Sequence, residues 1–202
     1  MVTHPLWRPY EPADLDALGS AFVGGSIPRE TVVVVLPDPR WTESATTWGE
    51  RVSPVLGQIE HVGSTAVPGL WAKPMIDLDA VRDDLDDEAT YVPATEALGL
   101  TLRVREPGHR LFVLRGGDPD VNLHVWETGS IEPARHRVFR DWLRAHPDDR
   151  AAYADLKRQL SDQGFETVMA YNNAKSGLIY DLYEKIFTAD TEHPHDPQPR
   201  TR

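Results

Sequence analysis

Cysteine is absent from the 202-residue sequence, which excludes disulfide bonds, thiolate zinc sites and a cysteine nucleophile. Basic residues are also few: 21 lysines and arginines face 32 aspartates and glutamates, a formal net charge of −11. Non-specific binding to nucleic acid or to an anionic membrane needs a basic surface, so neither is expected here. A local basic pocket for a phosphorylated small molecule remains compatible with this charge.

Long apolar runs are missing as well. No stretch approaches the roughly 18 residues of a membrane span, and the N-terminus lacks a basic segment followed by an apolar one. With 40% hydrophobic and 26% charged residues, the composition is that of a globular protein. We therefore expect a cytoplasmic protein that does not bind membranes.

Three regions differ in composition. Residues 1–30 contain four of the 17 prolines and one short possible helix around Asp14 to Phe22, and they predict an N-terminal extension. Residues 31–187 predict one compact domain. Residues 188–202 contain almost no apolar side chains and predict a disordered tail. In that tail His193 and His195 form an H-x-H pair that either binds a metal or is simply solvated.

The pattern within the compact domain predicts an α+β fold. Five strands are predicted at Thr31–Leu36, Gln58–Val62, Met75–Val81, Leu111–Arg115 and Val121–Trp126. Helices are predicted at Trp41–Val52, Tyr91–Leu98, Pro133–His146, Pro147–Ser161 and Thr167–Phe187. Because strands come first and helices later, we expect a mixed sheet with helices packed on one side and a helical C-terminal third.

Two carboxylates follow a loop that is rich in glycine, proline and hydroxyl groups. Asp77 and Asp79 are two residues apart, so on a strand they point to the same face. Two buried carboxylates repel unless a cation lies between them, and Mg²⁺ is commonly held by carboxylates together with substrate phosphates. Upstream, Gly63 permits close backbone approach, and Ser64 and Thr65 offer donors to a phosphate. The alternative is a strand edge with two solvated aspartates.

This arrangement resembles the nucleotidyltransferase superfamily of the DNA polymerase beta type, in which a Gly-Ser turn precedes an Asp-x-Asp strand. A longer set of residues is similar to the GrpB family: Glu60-His61-Val62-Gly63-Ser64-Thr65-Ala66-Val67-Pro68-Gly69-Leu70, Ala72-Lys73-Pro74, Ile76-Asp77, Asp38-Pro39-Arg40-Trp41, Asn122-Leu123-His124-Val125, His136, Phe139-Arg140-Asp141-Trp142-Leu143-Arg144, Tyr153, Leu156-Lys157, Tyr171 and Lys175. The resemblance covers about residues 31 to 187. It implies a nucleotidyltransferase-like core. A similar domain is fused to dephospho-coenzyme A kinase in some bacteria, which associates the family with nucleotide or coenzyme metabolism.

The resemblance assigns Gly63 and Ser64 to a phosphate turn, and Asp77 and Asp79 to a metal. Active superfamily members carry a third carboxylate on a later strand, often as the base. The strand Val121–Trp126 has Asn122 and His124 there instead, so His124 is the candidate base or ligand, with a structural histidine as the alternative. Nearby carboxylates are expected to raise its pKa.

Basic side chains complete the candidate site. Lys73 precedes Asp77 by four residues, and the resemblance places Lys175 on the last helix near nucleotide phosphates. Arg140 and Arg144 lie on one helix face and are the candidate anion contacts. The alternative for the arginines is a salt-bridged stripe on the helix surface.

The leading functional hypothesis is a nucleotidyltransferase that depends on Mg²⁺ or Mn²⁺. It would transfer a nucleotidyl group from a nucleoside triphosphate to a small-molecule acceptor. Two alternatives remain open at this point. One is a non-catalytic nucleotide- or coenzyme-binding module that supports a partner enzyme. The other is a ligase or cyclase reaction on the same scaffold.

Overall fold

Five strands form one mixed β-sheet in a computed structural model that describes residues 1–14, 19–24 and 31–200. The strands are β1 (Ile59–Val62), β2 (Met75–Arg82), β3 (Thr101–Glu106), β4 (His109–Leu114) and β5 (Asp120–Glu127). Their order in the sheet is β1-β2-β5-β4-β3. The β2–β5 pair is parallel and the other pairs are antiparallel. The α+β class is thereby confirmed.

Five α-helices accompany the sheet in the described part of the chain. They are α1 (Arg40–Leu56), α2 (Val92–Ala97), α3 (Glu132–Ala145), α4 (Pro147–Gln163) and α5 (Val168–Ala189). The last three confirm the helical C-terminal third. Within the described residues, no helix is both long enough and apolar enough to cross a bilayer.

Strand alternation gives the sheet two different faces. On β2, Ile76 and Leu78 point into the main hydrophobic core with residues of α1 such as Val52. Their neighbours Asp77 and Asp79 therefore point to the opposite face, as the two-residue period requires. This places the carboxylates on a polar face, next to the C-terminal helices.

Two strand predictions differ from the structure. Residues 31–36 were expected to form a buried strand, but only Val35 makes a bridge, to Ala72 in a loop. Ser161 on α4 binds the backbone on both sides of Val33, because it accepts from Val34 N and donates to Val32 O. A helix side chain thus provides the hydrogen bonds that a neighbouring strand would provide. In its place β3, which was not predicted, completes the sheet.

The segment expected to be a disordered tail is packed in the structure. Helix α5 continues to Ala189, and Glu184 on it accepts hydrogen bonds from the Gln198 amide and from Trp7 Nε1. The Asp196 amide donates to Val2 O at 2.9 Å. Polar contacts to the N-terminal segment therefore order residues whose composition offers little apolar burial. The helix expected around residues 14–22 lies partly outside the described residues.

Candidate functional site

A cavity of about 910 Å³ lies between the polar face of the sheet and the C-terminal helices. The turn residue Gly63 lines it, and its charged and polar side chains are those of Ser64, Lys73, Asp77, Arg103, Glu106, His109, Arg115, Asp120, Asn122, His124, His136, Lys157, Tyr171, Asn172 and Lys175. Apolar side chains, including Phe22, Leu111 and Met169, line the same cavity. A mixed lining and this volume suit a small organic ligand that carries both charged and apolar parts.

The Gly63-Ser64 turn lies directly against Asp77. Gly63 has a φ of 70°, in the left-handed region that glycine tolerates best. A Cβ at this position would collide with the Asp77 carboxylate. Glycine is therefore required twice over, by its backbone angle and by the close approach of a side chain that lines the cavity.

Lys157 on α4 is a buried lysine whose ammonium group reaches this turn. Its side chain is only 2% exposed, and Nζ donates to Ser64 Oγ at 3.0 Å. Nζ also lies 4.6 Å from the ring centre of Tyr153. Burial lowers the pKa of Lys157 well below its ordinary value, and the charge of Lys175 lowers it further, against the opposing effect of Asp77.

Lys175 on α5 is the second lysine that reaches the cavity from the C-terminal helices. Burial lowers the pKa of Lys175 to about 8, while the charge of Asp77 acts in the opposite direction. Its Nζ lies 5.1 Å from the ring centre of Tyr171. The charge of Asp77 favours the protonated form of both amines, and an anionic ligand beside them would favour it further.

Asp77 is oriented by its neighbour in the parallel strand pair. Asn122 is its Cα partner on β5, and Asn122 Nδ2 donates to Asp77 Oδ1 at 2.8 Å. The amide is held in turn by Arg115 Nη2, which donates to Asn122 Oδ1 at 2.9 Å. This chain of contacts holds the carboxylate in the cavity wall.

Asp79 is in a different environment, although it shares the face of Asp77. It is 4% exposed, and its two oxygens accept hydrogen bonds from His136 Nδ1 at 2.8 Å and from Trp126 Nε1 at 3.0 Å. Burial opposes ionisation, but the hydrogen bond and charge of His136 hold the pKa of Asp79 below its usual value. Burial likewise disfavours a charged His136, yet Asp79 raises the pKa of that imidazole. Each side chain therefore favours the charged form of the other.

The donor set fits a metal ion at one of the two aspartates. Both oxygens of Asp79 already accept hydrogen bonds, from His136 and from Trp126, so Asp79 does not fit an ion shared with Asp77 in this arrangement. Asp77 lines the cavity and fits a magnesium ion that arrives with substrate phosphates, since such ions often take only one or two protein carboxylates. A metal held by both aspartates was expected, but in this geometry only Asp77 fits a metal ion.

His124 lies in the cavity wall beside Asp79, its Cα partner across the parallel strands. Nearby carboxylates were expected to raise its pKa. Burial, with a smaller effect of His109, instead lowers the pKa of His124 to about 3, because desolvation outweighs the charge of Asp79. A neutral imidazole of such low basicity is a poor proton acceptor at neutral pH but a good hydrogen-bonding group.

Residues 31–185 match the family model described as GrpB protein. The chain belongs to the GrpB family. A UPF0157 protein of Halalkalibacterium halodurans is 43% identical over 178 residues, which cover 84% of this chain and 90% of the relative. The crystal structure of conserved protein GrpB from Enterococcus faecalis superposes with a TM-score of 0.67 at 23% identity, covering 76% of this chain and 96% of that one. That match supports the fold.

A longer protein also contains a region similar to this GrpB-family chain. The dephospho-CoA kinase of Mycolicibacterium paratuberculosis is 30% identical over 192 residues, which are 80% of this chain but only 47% of that protein. The name belongs to that whole protein, of which this chain matches about half.

Three residues expected to bind phosphate make other contacts in this GrpB-family chain. Arg140 Nη1 donates to His61 O at 2.9 Å, and Arg144 donates twice to Ala66 O, at 3.0 and 2.7 Å. Thr65 is buried and donates to Met75 O at 3.0 Å. The two arginines thus clamp β1 and the Gly-Ser turn from outside, and among the described residues none of the three lines the cavity.

Several cavity residues were absent from the sequence-based set. Lys157 follows Tyr153 by four residues and precedes Leu160 by three, so it lies on the buried face of α4. A lysine on an apolar helix face lowers the stability of the fold unless its amine has a partner. This position in the sequence could therefore have indicated a functional lysine. Asp120 supplies a cavity carboxylate at the first residue of β5, one position before the predicted strand began. His136 and Lys157 both match the GrpB pattern, but the pattern assigns neither of them a role.

The two tail histidines bind different carboxylates and do not form an H-x-H metal pair. His195 contacts Glu184 at 3.0 Å, whereas His193 contacts Asp190 at 3.0 Å. His4 joins Asp190, also at 3.0 Å, and these three could surround an ion. However, His4 Nδ1 accepts from Leu6 N, so the neutral ring carries its proton on Nε2 and donates it to Asp190. That tautomer is the wrong one for a metal at Nε2.

Proposed function

We propose that this GrpB-family chain binds a nucleoside triphosphate in the cavity and transfers its nucleotidyl group to a small-molecule acceptor. The observation that supports this is the convergence of the Gly63-Ser64 turn, Asp77, Lys157 and Lys175 on one cavity. The turn and carboxylate resemble the nucleotidyltransferase arrangement of a Gly-Ser turn before an Asp-x-Asp strand. The proposal also agrees with the similarity to part of a dephospho-CoA kinase, whose name implies a nucleotide substrate.

Phosphate recognition is assigned to the amines and to the turn. Lys175, with a pKa of about 8, is mostly protonated at neutral pH. Lys157 is held at Ser64 and gains a proton more easily when an anion enters, because a negative charge nearby raises the pKa of an amine. Ammonium groups act as point charges toward phosphate, and fixed donors stabilise the charge that develops during phosphoryl chemistry. Lys73 lines the same cavity.

Magnesium or manganese would be held by Asp77 together with the phosphates. When bound, the ion would neutralise charge on the triphosphate and polarise the reacting phosphorus. The protein's own part is to hold Asp77 with Asn122 and to keep the Gly-Ser turn in place through Arg140 and Arg144. Catalysis would then rest mainly on positioning.

The acceptor is proposed to be a small molecule because of size and charge. A cavity of about 910 Å³ holds a nucleotide and leaves limited room beside it. The net charge of −11 disfavours a nucleic-acid acceptor, whose backbone would be repelled.

The test is pyrophosphate release from each of the four ribonucleoside triphosphates, with a pool of small hydroxyl, amine and carboxylate acceptors and with Mg²⁺ or Mn²⁺. Mass spectrometry of the products separates a nucleotidylated acceptor from free nucleoside monophosphate, the product of a ligase or cyclase that works through an activated carboxylate. Lys175→Met serves as the inactive variant, and Lys185→Met, a surface lysine on the same helix, is the matched control. The proposal fails if wild type binds no triphosphate.

A second candidate is a binding module without turnover, and one observation favours it. The later strand presents Asn122 and His124 where active superfamily members carry a carboxylate, and Asp120 lies two residues earlier, bound to the Gly117 amide at 3.0 Å. Calorimetry with a triphosphate decides between the two functions. Tight binding without any pyrophosphate release indicates the module. Turnover that Asp120→Asn abolishes indicates an enzyme whose further carboxylate is Asp120.

Metal dependence separates the two aspartates. We expect Asp77→Asn to remove the effect of Mg²⁺ on triphosphate affinity and to leave the fold intact. Asp79→Asn should keep the Mg²⁺ effect but lower the free energy of unfolding by about 2 kcal/mol, because it removes a buried carboxylate that accepts from both His136 and Trp126. Calorimetry with and without Mg²⁺, together with urea unfolding, measures both. Equal Mg²⁺ effects in wild type and Asp77→Asn would contradict this assignment.

A further inference from the structure

A chain of three polar side chains enters the cavity from the β3–β4 hairpin. Glu106 and His109 face each other across the two-residue Pro107-Gly108 turn, and Glu106 Oε1 lies 2.7 Å from His109 Nδ1. His109 Nε2 lies 3.0 Å from His124 Nδ1 on β5. The order Glu106, His109, His124 therefore runs from the hairpin to the cavity wall.

The geometry leaves His109 little freedom. Its ring and that of His124 are within 17° of coplanar with centroids 5.2 Å apart, which suits an in-plane N–H···N hydrogen bond. The His109 ring also stacks on the Trp126 ring, with centroids 4.0 Å apart and an angle of 20° between the two planes. The residue is 7% exposed, so both ring nitrogens depend on these protein partners.

The direction of each hydrogen bond follows from the carboxylate. An ionised Glu106 only accepts, so His109 Nδ1 must carry a proton. A neutral His109 then has a lone pair on Nε2 and must accept from His124 Nδ1. His124 consequently carries its proton on Nδ1, and Nε2 keeps a lone pair, with no hydrogen-bonding partner among the residues that the structure describes.

We propose that Glu106 and His109 are positioning residues that hold His124 in the Nδ1–H tautomer, so that Nε2 is a permanent hydrogen-bond acceptor in the cavity. The ligand group that meets it is a donor, a hydroxyl or amine of the acceptor substrate. This role rests on the proposed function, since the acceptor is the molecule that His124 would orient. This role of His124 replaces the general base expected from the sequence, because His124 can orient the acceptor by a hydrogen bond without taking up its proton.

Nitrogen-15 NMR of the full chain, labelled at histidine, tests the tautomer without any activity. Long-range nitrogen–proton correlations show which ring nitrogen is protonated, and His124→Gln assigns the signals. At neutral pH we expect His124 to be protonated on Nδ1 and bare on Nε2. A proton on Nε2, as a cationic His109 would impose, overturns the proposal.

Glu106→Gln provides the sharper test. Glutamine can either accept from His109 Nδ1 through its oxygen or donate to it through its amide, so one direction is no longer imposed and a share of His124 should become protonated on Nε2. Glu127→Gln, at the exposed end of β5, removes the same charge and should leave the tautomer unchanged. If His124 keeps only its wild-type tautomer in Glu106→Leu, which offers His109 Nδ1 no acceptor, Glu106 does not hold that tautomer and the proposal is wrong. If that variant does not fold, the wild-type tautomer decides alone.

Kinetics separate this proposal from the function on which it rests. With turnover, Glu106→Gln should raise the KM for the acceptor about tenfold, the effect of one lost hydrogen bond, and leave the KM for the triphosphate unchanged. Equal changes in both KM values would contradict the positioning role. If the protein shows no turnover but His124 has the expected tautomer, nucleotidyl transfer is wrong, whereas the assignment of His124 Nε2 as a hydrogen-bond acceptor still holds.

Discussion

Burial works against the charge of two lysines in the cavity wall of this lysine-poor chain. Lys157 and Lys175 come from different helices and share Asp77 as an opposing charge. Lys175, with a pKa of about 8, still carries its proton at neutral pH, whereas Lys157 gains one more easily when a phosphate enters, so both amines can bind an anion. Such a balance between stability and binding is typical of a functional site.

Lys175 predicts a pH dependence of triphosphate affinity. Its pKa is lowered to about 8, so the free protein loses this positive charge as the pH rises through 8. An anion binds the protonated form better, so affinity should be constant below about pH 7 and fall by up to tenfold per pH unit above 8. Calorimetry from pH 6 to 9.5 measures this. Lys175→Arg, which stays charged, should flatten the profile, and an unchanged slope in that variant would contradict the assignment.

Lys157 predicts opposite effects on stability and binding. Lys157→Met removes a buried amine but keeps its aliphatic volume, so the free energy of unfolding should stay constant or rise by about 1 kcal/mol. Triphosphate affinity should fall, because the amine beside Ser64 that an entering phosphate would protonate is gone. Urea unfolding and calorimetry provide the two measurements. A variant that unfolds more easily and binds equally well would show that Lys157 is purely structural.

At the scale of elements, the Gly-Ser turn depends on groups from outside it. Arg144 binds Ala66 O from α3, Lys157 binds Ser64 from α4, and the Asp77 side chain packs on Gly63 from β2. The turn is therefore held by a helix clamp on one side and by the cavity wall on the other. Its shape is preorganised before a ligand enters.

A pair of glycines tests the contact between the turn and β2. Gly63 and Gly69 both have positive φ, but only at Gly63 would a Cβ strike the Asp77 carboxylate. Gly69→Ala should cost about 1 kcal/mol from its backbone angle alone. Gly63→Ala should cost at least about 1 kcal/mol more and should weaken triphosphate binding. Equal losses of stability in urea unfolding would mean that Asp77 moves away freely.

At the scale of the whole molecule, the two ends of the chain pack together on α5. His4 stacks on Phe187 at 4.4 Å, and the tail binds Glu184 and Val2. The contacts lie at the far end of the helix that carries Lys175. Anchoring both ends on α5 therefore helps to hold one wall of the cavity.

Hydrogen exchange distinguishes a packed tail from the disordered one that composition predicts. The Gln198 amide donates to Glu184 Oε2 at 2.7 Å, and the Asp196 amide donates to Val2 O. Both amides should exchange measurably more slowly than an unstructured peptide of the same sequence. Glu184→Gln should weaken protection at Gln198 more than at Asp196. Exchange of both amides at the unstructured rate would support the disordered tail.

Local patterns sufficed for much of the fold. Prolines at their first turns located α3 and α4, the 3.6-residue period located α5, and alternation placed Asp77 and Asp79 on one face of β2, because these features depend only on near neighbours. Residues 31–36 and β3 show the limit. Residues 31–36 have the composition of a strand, but they bind Ser161 on α4 instead of a neighbouring strand. The strand β3 forms because it pairs with β4, and that pairing is not visible in the local sequence of β3.

Composition and local pattern were enough to predict the family, the α+β class and the absence of cysteine chemistry. They also located the Gly-Ser turn and the Asp-x-Asp strand, because all of these are local or compositional properties. Only the tertiary structure decided which charges meet. It paired Asp79 with His136, turned Arg140 and Arg144 toward backbone carbonyls and brought Lys157 to Ser64. Burial and charge partners come from distant segments, and they determine the protonation of each group in the cavity.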